Sequence, residues 1–133
     1  FLEHRGTSEG DNVRAALSIC QWKHPGNKDG YATEISDVTC RNLYFDDIQS
    51  DGTYIFVWQM PGQTESSYIR NLVFENIEIN DANRVKNPVF QAVTNENYIL
   101  GMTVSNFTIS GKKVLSTGRD FRCSGNISDL SIN

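Results

Sequence analysis

The chain has 133 residues, with 12 Lys and Arg against 16 Asp and Glu, a formal net charge of −4. That length is one domain's worth and is enough to bury a real core. No run of about 18 apolar residues proposes a membrane helix, and no basic run or face proposes nucleic acid.

Residues 1–12, FLEHRGTSEGDN, are polar and dotted with glycine, and read as the tail of a preceding repeat with its loop. They hold Glu3, His4, Arg5, Glu9 and Asp11. Such a set suits acid–base work or a metal; the plainer reading is a solvated turn with local ion pairs. No metal or cofactor is assigned, and Glu9 and Asp11 stand as the candidate catalytic carboxylates within this sequence. Residues 13–20 read as a strand with Val13, Leu17 and Ile19 turned inward. Residues 21–34 form a long loop set by Pro25, Gly26 and Gly30, which exposes Trp22, His24 and Tyr31. In stacked-repeat chains insertions collect on one face, often the binding face.

The loop leads into a phrase that the chain then repeats. Ile35–Phe45, Ile69–Ile79 and Ile99–Ile109 align without gaps, and Ile127–Ile132 begins a fourth copy. Ile35, Ile69, Ile99 and Ile127 stand 34, 30 and 28 residues apart. A period of that size marks a stacked architecture. Within each copy Val38, Leu72 and Met102 share one column, and Cys40, Phe74 and Val104 the next, with polar residues between, as in a strand buried on one face. After Asn42, Asn76 and Asn106 the alternation slips by one residue. In a straight strand that slip would turn the side chains to the wrong face. A sharp bend at Asn, which tolerates left-handed backbone angles, lets both strands face one core. The second strands are then 36–41, 70–75 and 100–105, the third 43–45, 77–79 and 107–109. The three asparagines are predicted to stack. Leucine-rich repeats, with a period of roughly 20–29 residues, fit less well.

Asp46 falls in the column of Asn80 and Ser110, and Asp47 in that of Asp81 and Gly111, so the adjacent aspartates read as turn residues before they read as a catalytic pair. Residues 53–60 form the next first strand, apolar on both faces. With Ile55 and Val57 inside, Tyr54, Phe56 and Trp58 make an outward aromatic stripe, and Gln59 at its end can bond a hydroxyl. Residues 60–68 and 80–88 read as turns, 89–93 as a strand and 94–98 as a short turn. Residues 111–113 turn into Val114–Ser116, and 117–126 lead to the last strand; Arg119, Asp120 and Arg122 read as a surface charge group, whose arginines can also bind a sugar or uronate. Cys20, Cys40 and Cys123 have neither metal-like nor CxxC spacing. Cys40 reads as a small core hydrophobe.

The pattern V-x-[CFV]-x-N-[LIF]-x-[FI] in repeats of about 30 residues resembles the right-handed parallel β-helix of the pectin-lyase superfamily. The resemblance covers residues 13–133 and implies an all-β solenoid of about four coils, three strands to a coil, with a stacked Asn between the second and third strands. Among its members polygalacturonase- and dextranase-type glycoside hydrolases are closest in pattern. It implies a polysaccharide or oligosaccharide partner, acid/base hydrolysis, and a secreted, periplasmic or cell-surface protein. The polygalacturonase signatures Asn-Thr-Asp, Gly-His-Gly and Arg-Ile-Lys are absent. The catalytic carboxylates are therefore expected outside this sequence or at its edge, near Glu9 and Asp11. A polysaccharide lyase, or a non-catalytic adhesin or tail-fibre segment, fits the same fold. A solenoid needs covered ends, so further coils of a longer chain or another subunit are expected there. Substrate contact is expected on the first-strand side, through Trp22, His24, Trp58 and Gln59.

Overall fold

The computed structural model describes residues 15–21, 34–46, 53–59, 68–81 and 88–133, the side chains of 95–97 apart. The described residues form eight strands and no helix: β1 (Ala15–Gln21), β2 (Ile35–Ser36), β3 (Thr39–Asp46), β4 (Thr53–Gln59), β5 (Ile69–Asn80), β6 (Phe90–Ile109), β7 (Lys112–Lys113) and β8 (Phe121–Ile132). All eight belong to one sheet. The pairings are parallel except that of β6 with β7.

The copies of the phrase lie in register, as their alignment predicts. Ile35 pairs with Ile69, Ile69 with Ile99, and Ile99 with Ile127. Leu72, Met102 and Leu130 form one row, and Cys40, Phe74, Val104 and Ile132 another. The result is an all-β, parallel, solenoid-like stack, in which each repeat buries its apolar face against the next. Between the faces sits an aromatic cluster: Phe90 stacks on Phe121 at 4.0 Å and meets Phe74 and Phe107 edge-on at 5.3 and 5.9 Å.

The bends are where the sequence places them. Asn42, Asn76 and Asn106 take φ of 57°, 55° and 48°, a conformation that costs most residues about 1–2 kcal/mol. Their amides form a ladder: Asn106 Nδ2 donates to Asn76 Oδ1 at 2.9 Å, and Asn76 Nδ2 to Asn42 Oδ1 at 3.0 Å. Asp46, read from the sequence as a turn residue, is instead the last residue of β3; it heads a further column, accepting from Asn80 Nδ2 at 2.8 Å.

Three features depart from the expected layout. The second strands are not straight: Asp37, Asn71, Gly101 and Asp129 form another column of positive φ (56°, 54°, 83° and 49°), and Asn71 Nδ2 donates to Asp37 Oδ1 at 2.9 Å. Residues 94–98 stay in β6, and the turn expected there is a register irregularity between Val93 and Tyr98. Finally, residues 117–126, expected to lead to the last strand, already hold part of it: β8 begins at Phe121, paired with Phe90. Ser110 and Gly111, with φ of 48° and 75°, close a two-residue hairpin that folds β7 back on β6. Positive φ at both central residues is the type I′ arrangement. A hairpin of this kind can only join antiparallel strands, so the chain needs residues 114–120 to come round again in the parallel sense.

Candidate functional site

The first strands of successive repeats stack into one ladder: β1, β4, residues 90–94 of β6 and residues 121–124 of β8. Alternation along each strand divides it into two faces. Leu17, Ile55, Phe90 and Phe121 form an inner row, and Ile19, Val57, Ala92 and Cys123 a second. All lie in the hydrophobic core or pack against it. The outer face carries the columns Ser18–Phe56–Gln91–Arg122 and Cys20–Trp58–Val93–Ser124.

Phe56 and Trp58 are neighbours on this outer face, half-buried, with ring centroids 6.3 Å apart and planes 28° from parallel. The two rings make a shallow apolar platform. One strand along stands half-buried Gln91, and one further exposed Arg122. With parallel strands about 4.8 Å apart, the column from Phe56 to Arg122 spans roughly 10 Å. The face can therefore offer ring stacking beside an amide and a guanidinium, which is chemistry for holding a ring with polar edges.

The expected site residues divide. Trp58 lies on the outer face. Gln59 does not reach it: the strict alternation that puts Trp58 outside puts Gln59 inside, where it is fully buried. Its Nε2 donates to Gln21 Oε1 at 2.9 Å, and its Oε1 accepts from Thr94 Oγ1 at 3.1 Å. Gln59 is thus part of an internal polar ladder, and the side-chain amide in the described outer columns is that of Gln91. Tyr54, expected in the outward stripe, is also buried, its ring edge-on to Phe45 at 6.1 Å. Trp22, His24, Glu9 and Asp11 lie outside the described residues. Among the described residues no three Asp, Glu, His or Cys side chains converge as metal ligands would.

The three thiols are free. Burial raises the pKa of each; for Cys20 the Ser18 side chain and the Trp58 backbone partly offset this, and Cys123 is pushed up to about 11. None of them is set up as a thiolate nucleophile at neutral pH. No family model, curated protein or solved structure matches this chain.

Proposed function

We propose that this chain is part of a carbohydrate-active, right-handed parallel β-helix of about four coils, of the pectin-lyase kind, and that a polysaccharide lies along the outer face of its first ladder. The observation that carries this reading is the outward, near-parallel Phe56–Trp58 pair, with Gln91 and Arg122 following it in register. Sugar rings present apolar C–H faces to aromatic rings and hydroxyls to their rims. A β-helix repeats such a platform along its axis, which suits an extended polymer more than a compact ligand.

Hydrolysis of a glycosidic bond needs two carboxyl groups across it. The described outer columns carry Ser, Cys, Phe, Trp, Gln, Val and Arg, with no acid among them. In the glycoside hydrolase reading the acid and base therefore come from elsewhere, Glu9 and Asp11 being the candidates in this sequence. The same composition favours a second reading, in which the face holds a glycan without cutting it, as a secreted or surface-exposed β-helix would. Affinity electrophoresis against a panel of soluble polysaccharides tests the shared claim. At least one polymer should retard the protein, and Trp58→Ala should weaken that retardation about tenfold, the equivalent of about 1.4 kcal/mol. Equal retardation of wild type and variant would remove the first ladder from the account.

A further inference from the structure

Two Asn-x-Ser/Thr triplets, the acceptor pattern for N-linked oligosaccharide, occur in this sequence: Asn106-Phe107-Thr108 and Asn126-Ile127-Ser128. The fold treats them differently. Asn106 belongs to the Asn ladder, held at φ 48°, and its Nδ2 donates to Asn76 Oδ1 at 2.9 Å. That nitrogen is the atom that would carry a sugar, so a sugar there competes with the ladder bond. Asn126 lies in β8 just after Gly125, at φ 81°, beside the register irregularity of β6. It is exposed, and among the described residues none is hydrogen-bonded to its side-chain amide. Ile127, next in sequence, packs against the core, so alternation turns Asn126 outward.

Register decides what stands beside it. Asn126 pairs with Tyr98, which is 48% exposed. Paired residues on neighbouring parallel strands point to the same side of the sheet, about 4.8 Å apart. The Tyr98 ring therefore flanks the Asn126 amide and offers a sugar an apolar face to rest on. Repeats stack along the axis, so a further one beyond β8 leaves this outward side open. We infer that Asn126 is an acceptor for N-linked oligosaccharide, its first sugar resting against Tyr98, and that Asn106 in the folded chain is not. The donor is an oligosaccharide linked to a lipid diphosphate. Asn126 Nδ2 attacks its anomeric carbon, and the carbon–nitrogen bond forms as the bond from that carbon to the diphosphate oxygen breaks. The lipid diphosphate leaves with the electron pair, and Nδ2 gives up one proton. The product is a bulky, solubilising group on the surface.

This inference rests on the proposed function only for its secreted or surface location, where such donors are met. Secreting the full chain from yeast behind a leader peptide supplies that location, so the test reads the acceptor alone. The folded product should carry one N-glycan, mapped to Asn126 by peptide mass spectrometry before and after amidase release. Asn126→Gln and Ser128→Ala should each abolish it, while Thr108→Ala, which spoils only the Asn106 triplet, should keep it. Both glycan-free variants should keep the thermal midpoint of amidase-treated wild type, since neither changes a core residue. Trp58→Ala should lose polysaccharide retardation and keep the glycan, so the two readings fail separately. In NMR the C–H protons of the first sugar should show ring-current shifts that Tyr98→Ala removes. A folded product with sugar on Asn106, or with none on Asn126, would overturn the assignment. Sugar protons unmoved by Tyr98→Ala would overturn the contact with its ring.

Discussion

Two side-chain ladders run up this stack, one outside and one inside. Asn42, Asn76 and Asn106 bond amide to amide on exposed bends, while in the interior the Thr94 hydroxyl donates to the Gln59 amide and that amide to Gln21. Their bond lengths are alike, yet they do different work. The outer ladder holds a backbone conformation that few residues accept, and water can replace its hydrogen bonds. The inner ladder asks nothing unusual of the backbone, but water cannot replace what it loses. A hydrogen bond of given geometry therefore matters according to what stands ready to substitute for it.

The scale is set by the core between the ladders. Phe74 is fully buried and meets Phe90 edge-on, so Phe74→Ala should lower unfolding free energy by about 3–5 kcal/mol in chemical denaturation. Gln59→Ala comes next, at about 2–4 kcal/mol, because it removes the buried bonds to Gln21 and Thr94 and leaves a cavity. Asn76→Ala should cost about 1–3 kcal/mol, mostly for left-handed backbone, and Asn76→Gly should recover most of that. If glycine recovered nothing, the outer ladder would owe its effect to hydrogen bonds, and the contrast with the inner one would fail.

Smaller effects mark the surface. Glu75→Ala removes an exposed ion pair with Arg41 at 2.7 Å and should change stability by no more than about 0.5 kcal/mol. At neutral pH the least effect is that of Cys123, whose thiol faces the core and adds only a pH slope in the alkaline range. Its folded pKa is raised, so the native state keeps a proton that the unfolded chain gives up. Its contribution is fully present below 9.0 and is lost as pH rises to about 11. Wild type should lose more stability across that window than Cys123→Ala; parallel slopes would show that burial does not hold the proton.

The contrast between ladders also explains what was legible in the sequence. Register and the Asn bends could be read because a slipped alternation at a repeated Asn has few other physical solutions. The bend at Asp37, Asn71, Gly101 and Asp129 had a signal as well: all four residues tolerate positive φ, although they also pass as outward strand positions. The inner ladder had none, since a Gln at a strand end reads the same facing solvent or core. Residues 117–126 were read as a lead-in to the last strand because Gly, Ser and charged residues dominate them, and the start of β8 at Phe121 shows only in its pairing with Phe90. The candidate site was legible as a side of the stack, through Trp58, but not by residue. Gln59 was expected there, Gln91 emerges only from the pairing of first strands, and that pairing brings Arg122, already read as able to touch a sugar, onto the same face.

Trp58 and Gln59 are adjacent in sequence and face opposite sides of one strand, so together they test the account most directly. Polysaccharide retardation and denaturation midpoint are measured on Trp58→Ala and Gln59→Ala side by side, under conditions where both remain folded. Trp58→Ala should lose glycan binding while its stability falls by about 1 kcal/mol or less. Gln59→Ala should lose about 2–4 kcal/mol and keep its binding. The reverse pattern, with Gln59→Ala losing the glycan and Trp58→Ala the stability, would contradict both the facing of the strand and the site built on it.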